Sequence, residues 1–114
     1  MTSKQAIGKA GEDRAADFLA ARGLQLVARN FRVRGGEIDL VCRDGGVTVF
    51  VEVRLRSNGH YGGAAASITA AKQARLIMAA RHWQAQHGER NCRFDCVLIQ
   101  NDRLEWLRDA FRPD

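Results

Sequence analysis

The sequence predicts a single α/β domain with a mixed central sheet flanked by helices, in the order α-β-β-β-α-β. Three observations carry this expectation. A helical period runs through the first twenty or so residues, and three extended segments follow with the turn Asp44-Gly45-Gly46 between the last two. A long stretch rich in Ala, Arg, Gln and Leu then leads into an apolar strand. A hairpin followed by a helical crossover gives a sheet of mixed direction, and 114 residues are enough for one domain and too few for two ordinary ones.

The first segment, Lys4 to about Arg22, reads as a helix. Ile7, Ala10, Gly11, Ala15, Phe18, Leu19 and Arg22 recur near a 3.6-residue period. Gly23 follows as a left-handed stop. Leu24–Phe31 is the first strand and ends in the Arg-rich turn Arg32–Gly36. Glu37–Arg43 and Val47–Arg54 form a hairpin, because Asp-Gly-Gly between apolar runs is a strong turn signal. Val47-Thr48-Val49-Phe50-Val51 is almost entirely β-branched or aromatic, as expected of a central strand covered on both faces. The polar, Gly-rich Leu55–Gly63 is expected to be a mobile loop. A helix is expected from about Ser67 to His87, then a fourth strand over Cys92–Gln100 and a shorter fifth over Arg103–Leu107.

Composition narrows the functional classes. No apolar run is long enough to span a bilayer, and Met1–Lys9 holds no apolar signal core. The three cysteines, Cys42, Cys92 and Cys96, all fall in expected strands. There a free thiol packs as a small hydrophobe. Structural zinc would want four ligands and a close Cys pair, which the chain lacks. The expectation is a cytoplasmic protein with no membrane partner. Eighteen Lys+Arg against thirteen Asp+Glu give a net charge of +5. Basic domains of this size often meet a polyanion. Fifteen of the cations are Arg, which a general compositional habit would equally explain. No P-loop, Rossmann fingerprint or G-x-S-x-G elbow is present.

The acids are placed more tellingly. Asp39 lies in Glu37-Ile38-Asp39-Leu40-Val41 and Glu52 in Phe50-Val51-Glu52-Val53, two otherwise apolar strands. Carboxylates are seldom buried unless paired or bound to a metal. With Gly45-Gly46 as a two-residue loop, residues whose numbers sum to 91 face each other. Asp39 then stands opposite Glu52, and Glu37 opposite Arg54. Like charges across a ladder are destabilising, so a cation is expected between them. A hard divalent ion such as Mg²⁺ or Mn²⁺ would serve. Arg54 bridging both acids would serve equally, and a three-residue loop would shift the register by one and weaken the pairing.

The spacing Gly36-Glu37-Ile38-Asp39, then twelve residues, then Glu52-Val53-Arg54 resembles the PD-(D/E)xK nuclease superfamily. Nearly the whole chain resembles the YraN-like family of small bacterial proteins. The resemblance is carried in order by Gly8-Lys9-Ala10-Gly11-Glu12, Arg29-Asn30-Phe31-Arg32, Gly36-Glu37-Ile38-Asp39-Leu40, Val49-Phe50-Val51-Glu52-Val53, Ala71-Lys72-Gln73 and Arg93-Phe94-Asp95. It implies a restriction-endonuclease-like core of the Holliday-junction-resolvase type. It also implies a metal-dependent endonuclease acting on DNA, with branched or structured DNA the natural substrate and RNA still open.

The same resemblance implies roles for individual residues. Asp39 and Glu52 match the principal metal ligands, and Glu12 the helix acid that helps hold the metal. Lys72 and Gln73 would face the site from the second helix and meet phosphate or water. The third motif position is usually Lys and here is Arg54. Arginine stays protonated and cannot act as a base, yet it can hold a phosphate through two hydrogen bonds. Three outcomes stay open: Arg54 stabilises the transition state, Lys72 takes the lysine's part, or cleavage is lost and nucleic-acid binding remains. Arg32, Arg34, Arg56, His60 and Tyr61 are candidate backbone or base contacts, with a solvated turn as the alternative for the last three. A two-fold homodimer would suit a branched substrate.

Overall fold

Burial of Ala15, Ala16 and Leu19 on one side of α1 (Lys4–Ala21) is the apolar stripe that docks this helix on a sheet. The computed structural model describes residues 4–56 and 68–113, with side chains from Gly8 onward. The expected sites His60 and Tyr61, and the expected helix start at Ser67, lie outside the described residues. After α1 come β1 (Gln25–Val33), β2 (Gly36–Asp44), β3 (Val47–Arg56), α2 (Ala70–His87), β4 (Cys92–Gln100) and β5 (Arg103–Phe111). The five strands form one sheet in sequence order. Only β3 and β4 pair in parallel, joined by the α2 crossover; the other neighbours are antiparallel.

The helices cover opposite faces of this sheet, as a restriction-endonuclease-like core requires. On one side α1 packs on Leu40, Cys42, Val49, Val51, Val97 and Ile99. On the other, Leu76, Ala79, Ala80 and Trp83 of α2 pack on Ile38, Val41, Phe50, Phe94 and Cys96. The run Thr48–Glu52 is buried throughout, as expected for a strand covered twice. Gly23 takes φ +93° and, with the Leu24 N–H donating to Leu19 O at 3.1 Å, closes α1 in the left-handed manner read from sequence. Among the described residues no helix is long and apolar enough to cross a membrane.

Strands run further than their composition suggests. β1 takes in Arg32 and Val33, expected in the turn, which pair with Glu37 and Gly36 of β2. Leu55 and Arg56 continue β3 instead of opening a loop, because they pair with Ile99 and Gln100 of β4. The fifth strand reaches Phe111 and is as long as the fourth. Its extension rests on a buried carboxylate that sequence patterning does not reveal. Asp95, with no exposed surface, accepts hydrogen bonds from Arg93 Nε at 3.0 Å, Trp106 Nε1 at 3.0 Å and the Asp109 N–H at 2.9 Å.

Candidate active site

The hairpin register is the one expected from a two-residue turn, but it ends early. Pairs summing to 91 run from Asp44↔Val47 to Leu40↔Val51. At the next rung the sheet opens. Ile38 packs on the α2 side and Leu40 on the α1 side, although residues two apart in a strand normally share a face. On β1 the facing rung is Asn30, between Arg29↔Leu40 and Phe31↔Ile38, and Asn30 takes φ +51°.

Asp39 fills this opening. Its Oδ2 accepts the Val53 N–H at 2.8 Å, in place of the strand-to-strand bonding that stops one rung earlier. This sets its carboxyl beside Glu52, a buried residue on the α2 side of β3. Burial, followed by the hydrogen bond and charge of Glu52, pushes the Asp39 carboxyl up to about 7. The Asp39 carboxyl therefore keeps its proton to near neutrality in the absence of a cation.

The cation that the structure supplies is Lys72. Its Nζ stands 3.6 Å from Glu52 Oε2. Thr69, in extended conformation, caps α2 and accepts the Lys72 N–H on its side-chain oxygen at 3.2 Å, which seats Lys72 in the first turn. Among the described residues no ion pair joins Arg54 to either acid, and its Nε is buried without a hydrogen-bond partner. Glu37, expected opposite Arg54, pairs instead with Arg32 at 3.6 Å and Arg75 at 3.8 Å. Gln73 spends its amide on Ile68 O at 3.1 Å and so braces the start of α2. Arg34 is exposed in the β1–β2 turn, and Arg56 ends β3 half-buried.

Glu12 approaches from the α1 side. Burial raises its carboxyl first, the charge of Asp39 second, and the hydrogen bond from Asn30 Nδ2 at 3.2 Å works in the opposite direction. It is thus a neighbour of Asp39 without joining the Asp39–Glu52 contact. Among the described residues no three His, Cys, Asp or Glu side chains converge closely enough to hold an ion unaided. A buried and a half-buried carboxylate with one partly exposed ammonium do fit an ion such as Mg²⁺. That ion is commonly held by one or two carboxylates with waters and substrate phosphate around it. Beside Glu12 a cavity of about 440 Å³ opens between α1 and β1, lined by Gly8, Lys9, Glu12, Arg29, Asn30 and Arg32. A larger one, about 560 Å³, lies among Val47, Phe94 and Phe111, away from the acids, and its arginines are matched by Asp44, Asp95 and Asp109.

Sequence reasoning missed Asn30, Thr69 and the Val53 N–H. Thr69 carried a usable signal, as a capping residue directly before Ala70-Ala71-Lys72-Gln73. Asn30 carried only a weak one, an Asn inside an extended run, because its left-handed backbone is set by the tertiary fold.

Comparison with known proteins places this architecture. The model of a family described as the uncharacterised protein family UPF0102 matches residues 11–99. A UPF0102 protein of Dechloromonas aromatica is 56% identical over 107 residues, covering 94% of this chain and 89% of its own length. A UPF0102 protein of Burkholderia pseudomallei is 60% identical over 114 residues, covering 98% of this chain and 79% of its own. One of Burkholderia mallei is 58% identical over the same shares.

Proposed function

The chain belongs to the UPF0102 family, the YraN-like family, and from its carboxylate pair we propose that it is a metal-dependent endonuclease acting on DNA. The observation that carries the reading is Asp39 held beside Glu52, on the N–H of the adjacent Val53, where the β2–β3 ladder stops, with Lys72 3.6 Å from Glu52. Asp39 and Glu52 would hold the divalent ion. When bound, such an ion polarises a phosphate and lowers the pKa of a water.

The rest is done by side chains of this chain. The Val53 N–H holds Asp39 in one orientation. Lys72 is free to shift from Glu52 to a non-bridging phosphate oxygen once an ion takes over the carboxylate, since its side chain is 38% exposed. Arg54 brings an unpartnered N–H to the same strand, one residue beyond Val53. A guanidinium there suits developing phosphate charge and cannot take a proton. Branched DNA is the substrate that the fold resemblance suggests.

The test is cleavage of labelled linear, flapped and four-way DNA with Mg²⁺ or Mn²⁺, beside Glu52→Ala and a chelator control. Metal-dependent cutting that Glu52→Ala loses supports the reading. Arg54 in the usual lysine position favours one second reading, a non-cutting nucleic-acid-binding module. A folded protein that never cuts, yet shifts DNA at low salt without metal, would establish that reading instead.

A further inference from the structure

Three irregularities meet at one rung of the sheet. Asn30 is left-handed in mid-strand, β2 changes phase around Asp39, and the β2–β3 ladder ends just before Glu52. A left-handed non-glycine residue carries a cost that the surrounding structure must maintain, and such residues gather at functional positions. Asparagine is among the side chains that tolerate this region best. What the conformation achieves here is visible: the Asn30 amide reaches across to α1 and donates to Glu12 Oε1 at 3.2 Å. The bond faces the open cavity between α1 and β1 and is not buried in the core, so it adds little to stability.

We infer that Asn30 is a positioning residue, which holds Glu12 beside the Asp39–Glu52 pair as a carboxylate serving a bound divalent cation from outside its ligand set. The inference rests on the cation reading above and departs from the sequence expectation that Glu12 is itself a ligand. Two observations set Glu12 in this outer place. It lies close enough to Asp39 for the two charges to be felt, yet it does not complete a three-group cluster. One of its two oxygens, Oε1, is already engaged by Asn30. Partners of this kind orient the groups around an ion and tune its affinity without touching it. The neighbouring acid on α1, Asp13, is excluded from the role because Lys9 and Arg29 neutralise it.

The experiment is Mn²⁺ titration of the whole chain by calorimetry, with thermal melting of every variant. Asn30→Gly keeps the left-handed backbone comfortable and removes only the amide, so it should melt close to wild type. It should bind Mn²⁺ about ten- to a hundredfold more weakly. Glu12→Gln should match it, the double variant should bind no more weakly than either, and Asp13→Asn should bind as wild type. Asp39→Asn should lose binding altogether. Wild-type affinity in Asn30→Gly beside a weakened Glu12→Gln would overturn the positioning role and leave the cation reading intact. Loss in Glu12→Gln as complete as in Asp39→Asn would make Glu12 a ligand and overturn its outer placement. No Mn²⁺ binding by the wild type, or undiminished binding in Asp39→Asn, removes the cation reading and the role of Asn30 with it.

Discussion

Lys72 places its ammonium 3.6 Å from Glu52 Oε2, while Arg54, two residues along the strand from Glu52, leaves its Nε without a partner. The cation expected on β3 is therefore supplied from α2. If cleavage uses Lys72 in this way, Lys72→Met should slow single-turnover cutting of DNA about a hundredfold or more, the scale seen when one preorganised donor is removed. Arg54→Lys should stay within about tenfold of wild type. The reverse ranking would return the lysine role to the β3 position.

The pH dependence of folding has a definite sign. Asp39 carries a proton in the native state that the unfolded chain has already released between its ordinary 3.8 and about 7. Its contribution to stability is full below 3.8 and is lost as pH rises through about 7. Urea unfolding at a series of pH values should show wild type losing stability over this window, and Asp39→Asn losing less. Parallel curves for the two proteins would refute the raised Asp39 carboxyl.

Gly36 sits where the β1–β2 turn meets α2. A Cβ there would stand 2.5 Å from Arg75 O and 2.9 Å from Ala79 N, both backbone atoms that cannot swing aside. Gly36→Ala should cost about 1–3 kcal/mol, read from denaturant midpoints. Gly8→Ala, inside α1 with nothing within 4 Å of the added methyl, should instead be neutral or stabilising by up to about 1 kcal/mol.

Asp95→Ala is expected to be the harshest of these changes. It removes the acceptor from Arg93, Trp106 and the Asp109 backbone and leaves a guanidinium only 14% exposed without its main partner. Breaking a buried pair on one side costs about 3–5 kcal/mol. Trp106 fluorescence during unfolding would report both the lower midpoint and the released indole. An unchanged midpoint would mean that Asp44 alone holds Arg93.

Much of this architecture is legible in local patterning. The Asp44-Gly45-Gly46 turn, the doubly covered β3 and the helical period of α1 are each set by residues close together in sequence, and each appears where expected. The turn also fixes the register as far as Leu40↔Val51, which brings Asp39 and Glu52 to neighbouring positions although the ladder itself stops before them. What local patterning does not carry is the partner each acid finds. Lys72 reaches Glu52 only through the crossover, and Glu37 meets Arg75 only because Gly36 lets α2 approach. The left-handed turn of Asn30 and the full length of β5 likewise depend on groups brought from far along the chain.

A further contact links α1 to the turn between β4 and β5. The Arg14 guanidinium donates to Asn101 O at 3.0 Å and Asp102 O at 2.7 Å, in the turn between β4 and β5. Arg14 lies on the same helix as Glu12, so an acid made before the hairpin is secured by a turn made after it. On the ribosome, Asp39 and Glu52 can meet as soon as their hairpin emerges, because that pairing is local. The α1 side of the site has to wait for β4 and its turn to leave the exit tunnel. Maturation of the α1 side of the site therefore follows that of the hairpin, and a nascent chain arrested before Asn101 would carry the two hairpin acids with α1 still untied.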